Sequence, residues 1–428
     1  NHGCAKNLVD SELMLGLLAN KGHEVTLDEK DAEIVVINTC SFIHDAEKES
    51  VQAILQMVQD GKKVIVTGCL PQKYKGELKK AIPEISGMIG TADIKEIVEV
   101  VDKVAHDQKY ISKVSEKPEY IYPENIERQQ ITVGASSYIK IADGCNYHCG
   151  YCIIPQLRGE YHSRTIENIV EEAKALVEKG VTEIVLIAQD TTSYGIDLYG
   201  KQELPRLLKE LNKIEGLGWI RIMYAYPSQM SDELMDAIAS LDKVVKYIDL
   251  PLQHYNVEIL KAMRRPAFDY DELIKKIRTK IPNVAIRTAF IVGYPGETDE
   301  QFNELYEFVK RSKFDKMGVF EYSRERNTAS YSMLEQVPAK IKKQRHKKLM
   351  TLQQKISREI NEKYVGQTLP CIVEGYTDEG IVLMRSEHDA PEIDGMVYAT
   401  TDKAVVPGDI ENVVIERADE YDLYGTLN

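Results

Sequence analysis

Six of the chain's cysteines fall into two groups of three, and the thiol side chains and their spacing suggest metal binding. The first group is spread over the first 69 residues and comprises Cys4, Cys40 and Cys69. The second group is compact, has the spacing C-x3-C-x2-C, and comprises Cys145, Cys149 and Cys152. Thiolates bind soft metals, and iron–sulfur clusters are usually held by four of them. Three close cysteines therefore leave one iron of a four-iron cluster open to a substrate or a cofactor.

Each cysteine of the first group follows a different predicted strand. The β-branched run 34–37 predicts a buried strand that ends at Cys40, and the run 64–66 predicts a second one that ends at Cys69. We expect Cys4 to occupy the same place in a unit whose strand is cut off. Because the carboxyl ends of parallel strands share one edge of a sheet, where ligands bind, the three thiols are predicted to hold a metal cluster. Three unrelated core cysteines are the alternative.

The helix after Cys4 is expected to start at Asn7, a good N-cap residue, and to continue through the apolar run 8–18. A cysteine at a helix N-terminus lies at the positive end of the helix dipole, which stabilises its thiolate.

Composition favours a cytoplasmic protein. Hydrophobic residues make up 43% of the chain, and no apolar run approaches the roughly 20 residues of a membrane span. No secretory signal is recognisable, and we expect no membrane association. Cytoplasmic cysteines serve metal or redox chemistry more often than structural disulfides.

The second cysteine group lies in GCNYHCGYCIIPQLRGEYHSR (144–164), after a strand that ends at Asp143. A zinc site would need a fourth ligand, for which His148 is the candidate. The motif resembles that of the radical S-adenosylmethionine (SAM) superfamily instead.

This resemblance implies that the three cysteines hold a [4Fe-4S] cluster whose open iron chelates SAM. Reductive cleavage of SAM then gives a 5′-deoxyadenosyl radical. The resemblance also implies that Tyr151, the aromatic residue before the last cysteine, lies near the adenine.

Strand patterns alternate with helical segments through the middle of the chain, which predicts a parallel sheet. The strand patterns cover Tyr138–Ala142, Glu183–Ala188, Ile220–Tyr224, Tyr247–Leu250, Ala285–Val292 and Lys316–Tyr322. Six such units fit the partial (β/α)6 barrel of radical SAM enzymes. Barrels of this kind place their sites at the carboxyl ends of the strands.

Four residues of this region are the candidates for contact with SAM: Gln189, Gln253, Arg287 and Gly293. For Gln253 the alternative is a cap on a strand end, and for Arg287 it is a structural ion pair. The family resemblance implies a polar group at Arg287 near the carboxylate or ribose of SAM. We identify no side chain as a general acid or base.

Gly293 lies in IVGYPGET (291–298), which resembles the superfamily's adenine-binding turn. Thr298 and Gln301 also predict a capping box for the following helix, so this stretch serves structure in either case.

The region after Pro338 predicts a long polar helix and then short β runs with Gly and Asp turns. The Lys/Arg run of the helix is read as a solvated face, with a nucleic-acid contact as the alternative. The β runs predict a small five-stranded, OB-like antiparallel barrel with Cys371 in its core.

The order of these parts resembles the radical SAM methylthiotransferases. The resemblance implies an α/β chain with three domains: a doubly wound parallel sheet over 1–115, the radical SAM barrel over 131–362 and a TRAM barrel over 363–428. It further implies that Cys4, Cys40 and Cys69 hold an auxiliary [4Fe-4S] cluster that carries or activates the sulfur. The expected cofactors are thus two [4Fe-4S] clusters and SAM, of which a second molecule supplies the methyl group.

Three stretches resemble the RimO branch of this family, which modifies an aspartate of ribosomal small-subunit protein S-twelve. They are GCAKNLVDSE, DAPEIDG and the terminal YDLYG. Another branch modifies adenosines of transfer RNA. A reductant such as flavodoxin or ferredoxin and a sulfur donor are the other implied partners.

Charge favours the protein substrate. The chain carries a formal net charge of −14, and residues 361–428 hold 15 Asp/Glu against 4 Lys/Arg, a balance of −11. A barrel that binds RNA should be basic, since phosphate contacts dominate RNA affinity. An acidic barrel complements a basic ribosomal protein, and an acidic solvated surface without a partner is the alternative. A non-catalytic iron–sulfur protein is the remaining alternative in another functional class.

Overall fold

The computed structural model describes residues 1–26, 28–106, 110–120, 122, 128–131 and 134–427. The chain divides into two compact units. The first comprises 1–133, 142–164 and 325–328, and the second comprises 134–141, 165–324 and 329–428.

The α-helices, numbered in chain order, are α1 (Ala5–Asn20), α2 (His44–Gln59), α3 (Cys69–Tyr74), α4 (Gly76–Ala81), α5 (Ile97–Ala105), α6 (Ile154–Arg158), α7 (Ile166–Glu178), α8 (Ile196–Tyr199), α9 (Leu204–Leu211), α10 (Asp232–Ser240), α11 (Val257–Ala262), α12 (Tyr270–Lys280), α13 (Asp299–Ser312) and α14 (Ala339–Asn361). Short 3-10 helices cover Ile94–Glu96, Pro227–Gln229, Ala329–Ser332 and Glu362–Tyr364.

The strands are β1 (Ile34–Thr39), β2 (Lys63–Gly68), β3 (Gly87–Ile89), β4 (Ile111–Lys113), β5 (Ser136–Lys140), β6 (Ala142–Asp143), β7 (His162–Ser163), β8 (Glu183–Ile187), β9 (Trp219–Ile222), β10 (Tyr247–Asp249), β11 (Ala285–Val292), β12 (Lys316–Glu321), β13 (Thr368–Tyr376), β14 (Val382–Ser386), β15 (Val397–Thr400), β16 (Ile410–Ala418) and β17 (Leu423–Leu427).

The first unit is built on a parallel sheet with the order β1-β2-β3-β4. Thr39 of β1 pairs in register with Gly68 of β2, and an isolated parallel bridge joins His2 to Thr39 on the other side. Cys40 and Cys69 therefore follow directly paired residues, and Cys4 lies two residues after the bridge. The register brings the first cysteine group to one sheet edge, as the sequence predicted.

One detail of the sequence prediction is wrong at the start of α1. The helix begins at Ala5 with Cys4 as its N-cap, so Asn7 is not the N-cap but lies in the first turn. Its side-chain amide instead donates to the Thr39 carbonyl at 2.9 Å and to Asn38 Oδ1 at 3.1 Å. These two tertiary contacts take the place of a capping interaction.

The central strands of the second unit confirm the partial barrel. Two parallel sheets have the orders β5-β8-β9 and β10-β11-β12. They are joined where Ile220 donates to Lys243 O at 2.7 Å and accepts from Val245 N at 3.1 Å. Buried residues fill the strands, as in all five positions of β8. The predicted strand 138–142 is divided into β5 and the two-residue β6, which belongs to the first unit and pairs with β7.

The tail forms the predicted closed barrel, with the order β13-β14-β15-β17-β16. The pairings are antiparallel except that β15 and β17 are parallel. Cys371 is fully buried in its core among aliphatic side chains, as expected. Across the described parts of the chain, no helix is long and apolar enough to cross a membrane.

The end of β14 and the segment that follows it cover the amino ends of the central strands, and we call this region the barrel floor. It consists of residues 385–394 and the strand residues that they contact. Arg385 pairs with Glu183, the first residue of β8, and Asp389 pairs with Lys316, the first residue of β12. The motif DAPEIDG therefore serves the packing of the tail barrel on the central barrel.

Candidate functional site

The first cysteine group forms the region that we call the thiol edge: Cys4, Cys40 and Cys69 with the polar side chains between them. Cys4 is exposed, Cys40 is half-buried and Cys69 is buried. Ser50 of α2 fixes the backbone of Cys40, because its hydroxyl accepts from Cys40 N at 3.1 Å and donates to Cys40 O at 3.0 Å.

Gly68 makes the approach of Cys69 to β1 possible. It has φ +93° and ψ −146°, a conformation that is accessible almost only to glycine. A Cβ at this position would lie 2.3 Å from Asn38 Oδ1 and 2.6 Å from Thr39 O. The glycine therefore lets α3 begin at Cys69, directly beside the end of β1.

Two buried amides connect α1 to the same edge. Asn38 donates to Asn7 O at 2.8 Å and to Ser11 Oγ at 2.9 Å, and Asn7 donates back to Asn38. The Thr39 hydroxyl donates to Thr67 O at 2.6 Å. These bonds fix the helix that starts after Cys4 against the strand that ends before Cys40.

The second cysteine group lies in a loop between β6 and α6 in the same unit. Cys149 is buried, whereas Cys145 and Cys152 are half-buried. The backbone closes the loop, because Cys145 N donates to Gly159 O at 3.1 Å and Cys152 N donates to Cys149 O at 3.0 Å. Tyr151 is half-buried within the loop.

Arg158, the last residue of α6, joins the two groups. Its guanidinium is 3% exposed and donates to Asp10 at 2.9 Å and to Asp143 at 2.8 Å. It also donates to Asn7 Oδ1 at 2.5 Å. Cys69 packs in a buried cluster with Ile153, which precedes α6, and with Leu157 of that helix. Both cysteine groups are thus anchored to one short helix.

Burial controls the protonation of two thiols at the thiol edge. Burial raises the pKa of Cys69 to about 12, although the Arg158 charge opposes this effect. Burial also raises the pKa of Cys40. Both thiols are therefore protonated at neutral pH, and any metal that bound them as thiolates would have to release their protons.

The donor set consists of thiols, the ligands that usually hold iron–sulfur clusters. All six cysteines are thiols and not disulfides. No three His, Cys, Asp or Glu among the described residues are arranged to hold one ion, which disfavours the zinc alternative with His148 as the fourth ligand.

The predicted SAM contacts are in the second unit, except for Tyr151. Gln189 follows β8 and is half-buried. Gln253 follows β10 and has φ +72°, a strained conformation of the kind found at functional sites. Its backbone bonds hold it against β11, since Gln253 N donates to Ala289 O at 2.8 Å and Gln253 O accepts from Ile291 N at 2.7 Å. These backbone bonds agree with the alternative that Gln253 caps a strand end. The contact between Gln253 and SAM stays a prediction.

Gly293 begins a turn that is organised by Glu297. Its φ is +72°, and an added Cβ would lie 2.4 Å from a Lys342 side-chain carbon. The buried Glu297 carboxylate accepts from Gly293 N and from Tyr294 N, the latter at 3.1 Å. Its other oxygen lies 3.7 Å from Nε2 of the buried His254. The Glu297 carboxylate therefore fixes the backbone of this turn.

The capping box that follows the turn is confirmed, with Thr298 and Gln301 each bonded to the other's backbone.

Arg287 lies apart from the other candidates. It is the third residue of β11, whereas Gly293 follows the last residue of that strand. Its guanidinium donates to Asp249 at 2.8 Å and lies 3.6 Å from Asp394 of the barrel floor. This geometry favours the structural ion pair that the sequence left as the alternative.

The sequence reasoning missed the polar residues that organise the thiol edge, namely Asn7, Asp10, Asn38, Asp143 and Arg158. The available signal was Arg158, a charged residue beside the apolar Leu157 in the short segment after Cys152. Its partners are 15 to 151 residues away in sequence, so no local pattern identifies them.

Known protein families match the three parts of the chain. Residues 139–309 match the Radical SAM superfamily, residues 1–90 match Uncharacterized protein family UPF0004, and residues 365–427 match the TRAM domain. A relative from Caldanaerobacter subterraneus subsp. tengcongensis, "Ribosomal protein uS12 methylthiotransferase RimO", is 48% identical, with 99% of this chain and 98% of the relative covered. A relative of the same name from Desulforamulus reducens is 47% identical with the same coverage.

The chain belongs to the RimO family of radical SAM methylthiotransferases. It is an enzyme that transfers a methylthio group, and its cofactors are SAM and [4Fe-4S] clusters.

The solved structures of a more distant protein share the fold. The radical SAM methyltransferase TsrM from Kitasatospora setae, with cobalamin and a [4Fe-4S] cluster bound, is 13% identical. The alignment covers 84% of this chain and 77% of TsrM with a TM-score of 0.58. A second TsrM structure, with tryptophan and a SAM analogue bound, is 14% identical. That alignment covers 74% of this chain and 70% of TsrM with a TM-score of 0.56.

Proposed function

We propose that this RimO-family enzyme methylthiolates the β-carbon of an aspartate in ribosomal small-subunit protein S-twelve, in the cytoplasm. The observation that carries the proposal is the 48% identity, over 99% of the chain, to an enzyme named for that substrate. Cytoplasmic location is supported by the seven cysteines, which are all thiols and not disulfides, because thiols stay reduced in that compartment.

We assign the compact cysteine group to the SAM cluster and the thiol edge to the auxiliary cluster. Gly68 and Ser50 hold Cys69 and Cys40 at the sheet edge, while the loop before α6 presents the compact group. Thiolate ligands at fixed positions keep the two clusters in a constant geometry, which is the protein's main contribution to cofactor chemistry. When bound, the clusters and SAM supply the radical chemistry and the sulfur.

We further propose that Tyr151, Gln189, Gln253 and Gly293 contact SAM. Support comes from strain at Gln253 and from the rigid turn at Gly293, since preorganised elements bind a cofactor at lower entropic cost. We give Arg287 a structural role in place of a SAM contact, because two carboxylates already pair with its guanidinium.

Surface charge on the tail barrel supports a basic protein substrate over RNA. Part of the acidic charge is internal, because Asp389 and Asp394 are buried in the barrel floor. Exposed carboxylates remain around the barrel, among them Asp378, Glu379, Asp402 and Glu416. Such a surface attracts basic partners and repels the phosphates of RNA.

The proposal includes a reductant such as flavodoxin or ferredoxin and a sulfur donor, since the radical reaction consumes an electron and a sulfur atom. It also includes the domain boundaries 1–115, 131–362 and 363–428, of which residues 27, 107–109, 132, 133 and 428 lie outside the described residues.

An anaerobic assay tests the proposed function. The reconstituted enzyme receives SAM, sulfide and a strong reductant, with protein S-twelve or transfer RNA in separate reactions, and mass spectrometry follows deoxyadenosine and methylthio addition. We expect addition to the aspartate of S-twelve and none to RNA. An S-twelve variant with asparagine at the target position is the matched control.

Each other outcome has a distinct meaning. Addition to RNA alone would overturn the substrate and keep the chemistry. Deoxyadenosine without addition to either substrate would overturn S-twelve as the acceptor. No deoxyadenosine from enzyme that holds its clusters would favour a non-catalytic iron–sulfur protein.

A further inference from the structure

Arg158 is the side chain through which the two cysteine groups are connected. Its guanidinium is buried and makes three charge-assisted bonds, to Asp10, Asp143 and Asn7. A planar guanidinium with several fixed partners cannot rotate away, so its charge has a defined position.

The partners of Arg158 belong to the segments that carry the cysteines. Asn7 and Asp10 lie in the first half of α1, which starts directly after Cys4, and Asn7 also bonds to the residue before Cys40. Asp143 ends the strand two residues before Cys145. Movement of Arg158 would therefore disturb both groups together.

Arg158 also lies close to the thiols themselves. It directly follows Leu157, which packs in a buried cluster with Cys69, so its positive charge is held beside the thiol edge. Loss of the arginine would remove this buried positive charge from beside the thiol edge.

We propose that Arg158 is a positioning residue for methylthio transfer, which fixes the two cysteine groups relative to each other and raises the reduction potential of the auxiliary cluster. The inference rests on the proposed assignment of the thiol edge to that cluster. Reduction adds negative charge to a cluster, and a buried cation nearby stabilises the added charge because the local dielectric constant is low.

The test measures the reduction potential of the auxiliary cluster by EPR-monitored redox titration. It uses the full chain in which Cys145, Cys149 and Cys152 are all replaced by Ala, so that the auxiliary cluster is observed alone. Arg158→Gln should shift the equilibrium between the oxidised and reduced cluster at least tenfold toward the oxidised form. For a one-electron couple, this shift lowers the reduction potential by about 59 mV. Arg158→Lys, which keeps the charge, should restore most of it.

Asp10→Asn should shift the reduction potential of the auxiliary cluster in the opposite direction to Arg158→Gln. This isosteric change removes one negative charge and keeps the side chain's size, so it should raise the potential. A residue with only a structural role would give no such opposite shifts. Asp10→Asn also keeps the proposal testable if Arg158→Gln does not fold.

Arg385→Lys is the matched control, because Arg385 is also buried between carboxylates but lies in the barrel floor. It should leave the potential unchanged. An unchanged potential in both Arg158→Gln and Asp10→Asn, with full iron content, would overturn the inference. Absence of a second cluster in the otherwise unaltered enzyme would instead overturn the proposed function, so the two failures are distinguishable.

Discussion

The thiol edge and the barrel floor each contain a buried arginine between two carboxylates, yet the neighbours of the two arginines differ. In the barrel floor, Arg385 pairs with Glu183 and Glu374, and Arg221 shares Glu183 at 2.7 Å. Two cations thus meet two carboxylates. At the thiol edge, Arg158 pairs with Asp10 and Asp143, which lie in the segments that carry Cys4 and Cys145.

These neighbours indicate different roles for the two arginines. Buried charges are costly, and a network of equal positive and negative charge reduces that cost most fully. The cluster of Arg385, Arg221, Glu183 and Glu374 meets this condition, which fits a structural role. Arg158 lies instead beside thiols whose pKa is raised by burial, and groups with perturbed protonation are concentrated at functional sites.

Loss of one cysteine from the thiol edge and of one from the core of the tail barrel should give the largest difference. If Cys69 is a ligand of the auxiliary cluster as proposed, Cys69→Ala should remove about half of the iron bound per chain and abolish methylthio transfer. Cys371→Ala, in the core of the tail barrel, should keep the iron and cost only about 1–2 kcal/mol of the free energy of unfolding. Iron analysis and chemical denaturation measure both effects. Equal iron in the two variants would contradict the assignment of the thiol edge.

Removal of the arginine from the barrel floor should be the next largest effect. Arg385→Met leaves Glu183 and Glu374 without their main partner, and breaking a buried pair costs about 3–5 kcal/mol. Urea denaturation measures this loss. The exposed Arg206, which lies 3.9 Å from Glu203, provides the control, and Arg206→Met should cost less than about 1 kcal/mol. Similar losses in both variants would contradict the role of the barrel floor.

The same two regions explain what the sequence could and could not predict. The order of strands, the barrel and the sheet edge with Cys40 and Cys69 follow from local patterns of β-branched runs and the residues after them. Arg158 and Arg385 have partners 148 and 202 residues away, respectively, and such pairings depend on the folded register. Arg287 shows how far sequence patterns reach. The strand that contains Arg287 was predictable, whereas the pairing of its side chain with Asp249 was not.

Acid should weaken the barrel floor through Glu183. Burial alone would raise the pKa of Glu183, but Arg385 and Arg221 outweigh burial and lower it from 4.5 to about 2. A depressed pKa contributes stability that is present above the unfolded value and is lost as pH falls from about 4.5 toward 2. The contribution at neutral pH is roughly 3 kcal/mol.

Comparison with Glu183→Gln isolates this contribution. Glutamine does not ionise, so the difference in unfolding free energy between the two proteins should shrink as pH falls through that window. Urea denaturation at neutral pH and at several acidic values measures it. A difference that stays constant with pH would contradict the assignment of the pH effect to Glu183.

The smallest expected effect concerns the backbone of the thiol edge. Gly61 and Gly68 both have positive φ, but only Gly68 has atoms of β1 where a Cβ would be placed. Gly61→Ala should cost about 1 kcal/mol from backbone conformation alone. Gly68→Ala adds a steric conflict with Asn38 and Thr39, so it should cost about 2 kcal/mol more, with part of the auxiliary iron lost as Cys69 shifts. Chemical denaturation measures the free energy of unfolding of the two variants, and iron analysis measures the iron that each one binds. If Gly68→Ala behaved like Gly61→Ala, the close approach of Cys69 to the end of β1 would not be what positions this thiol, and the edge would depend on Arg158 and the buried amides alone.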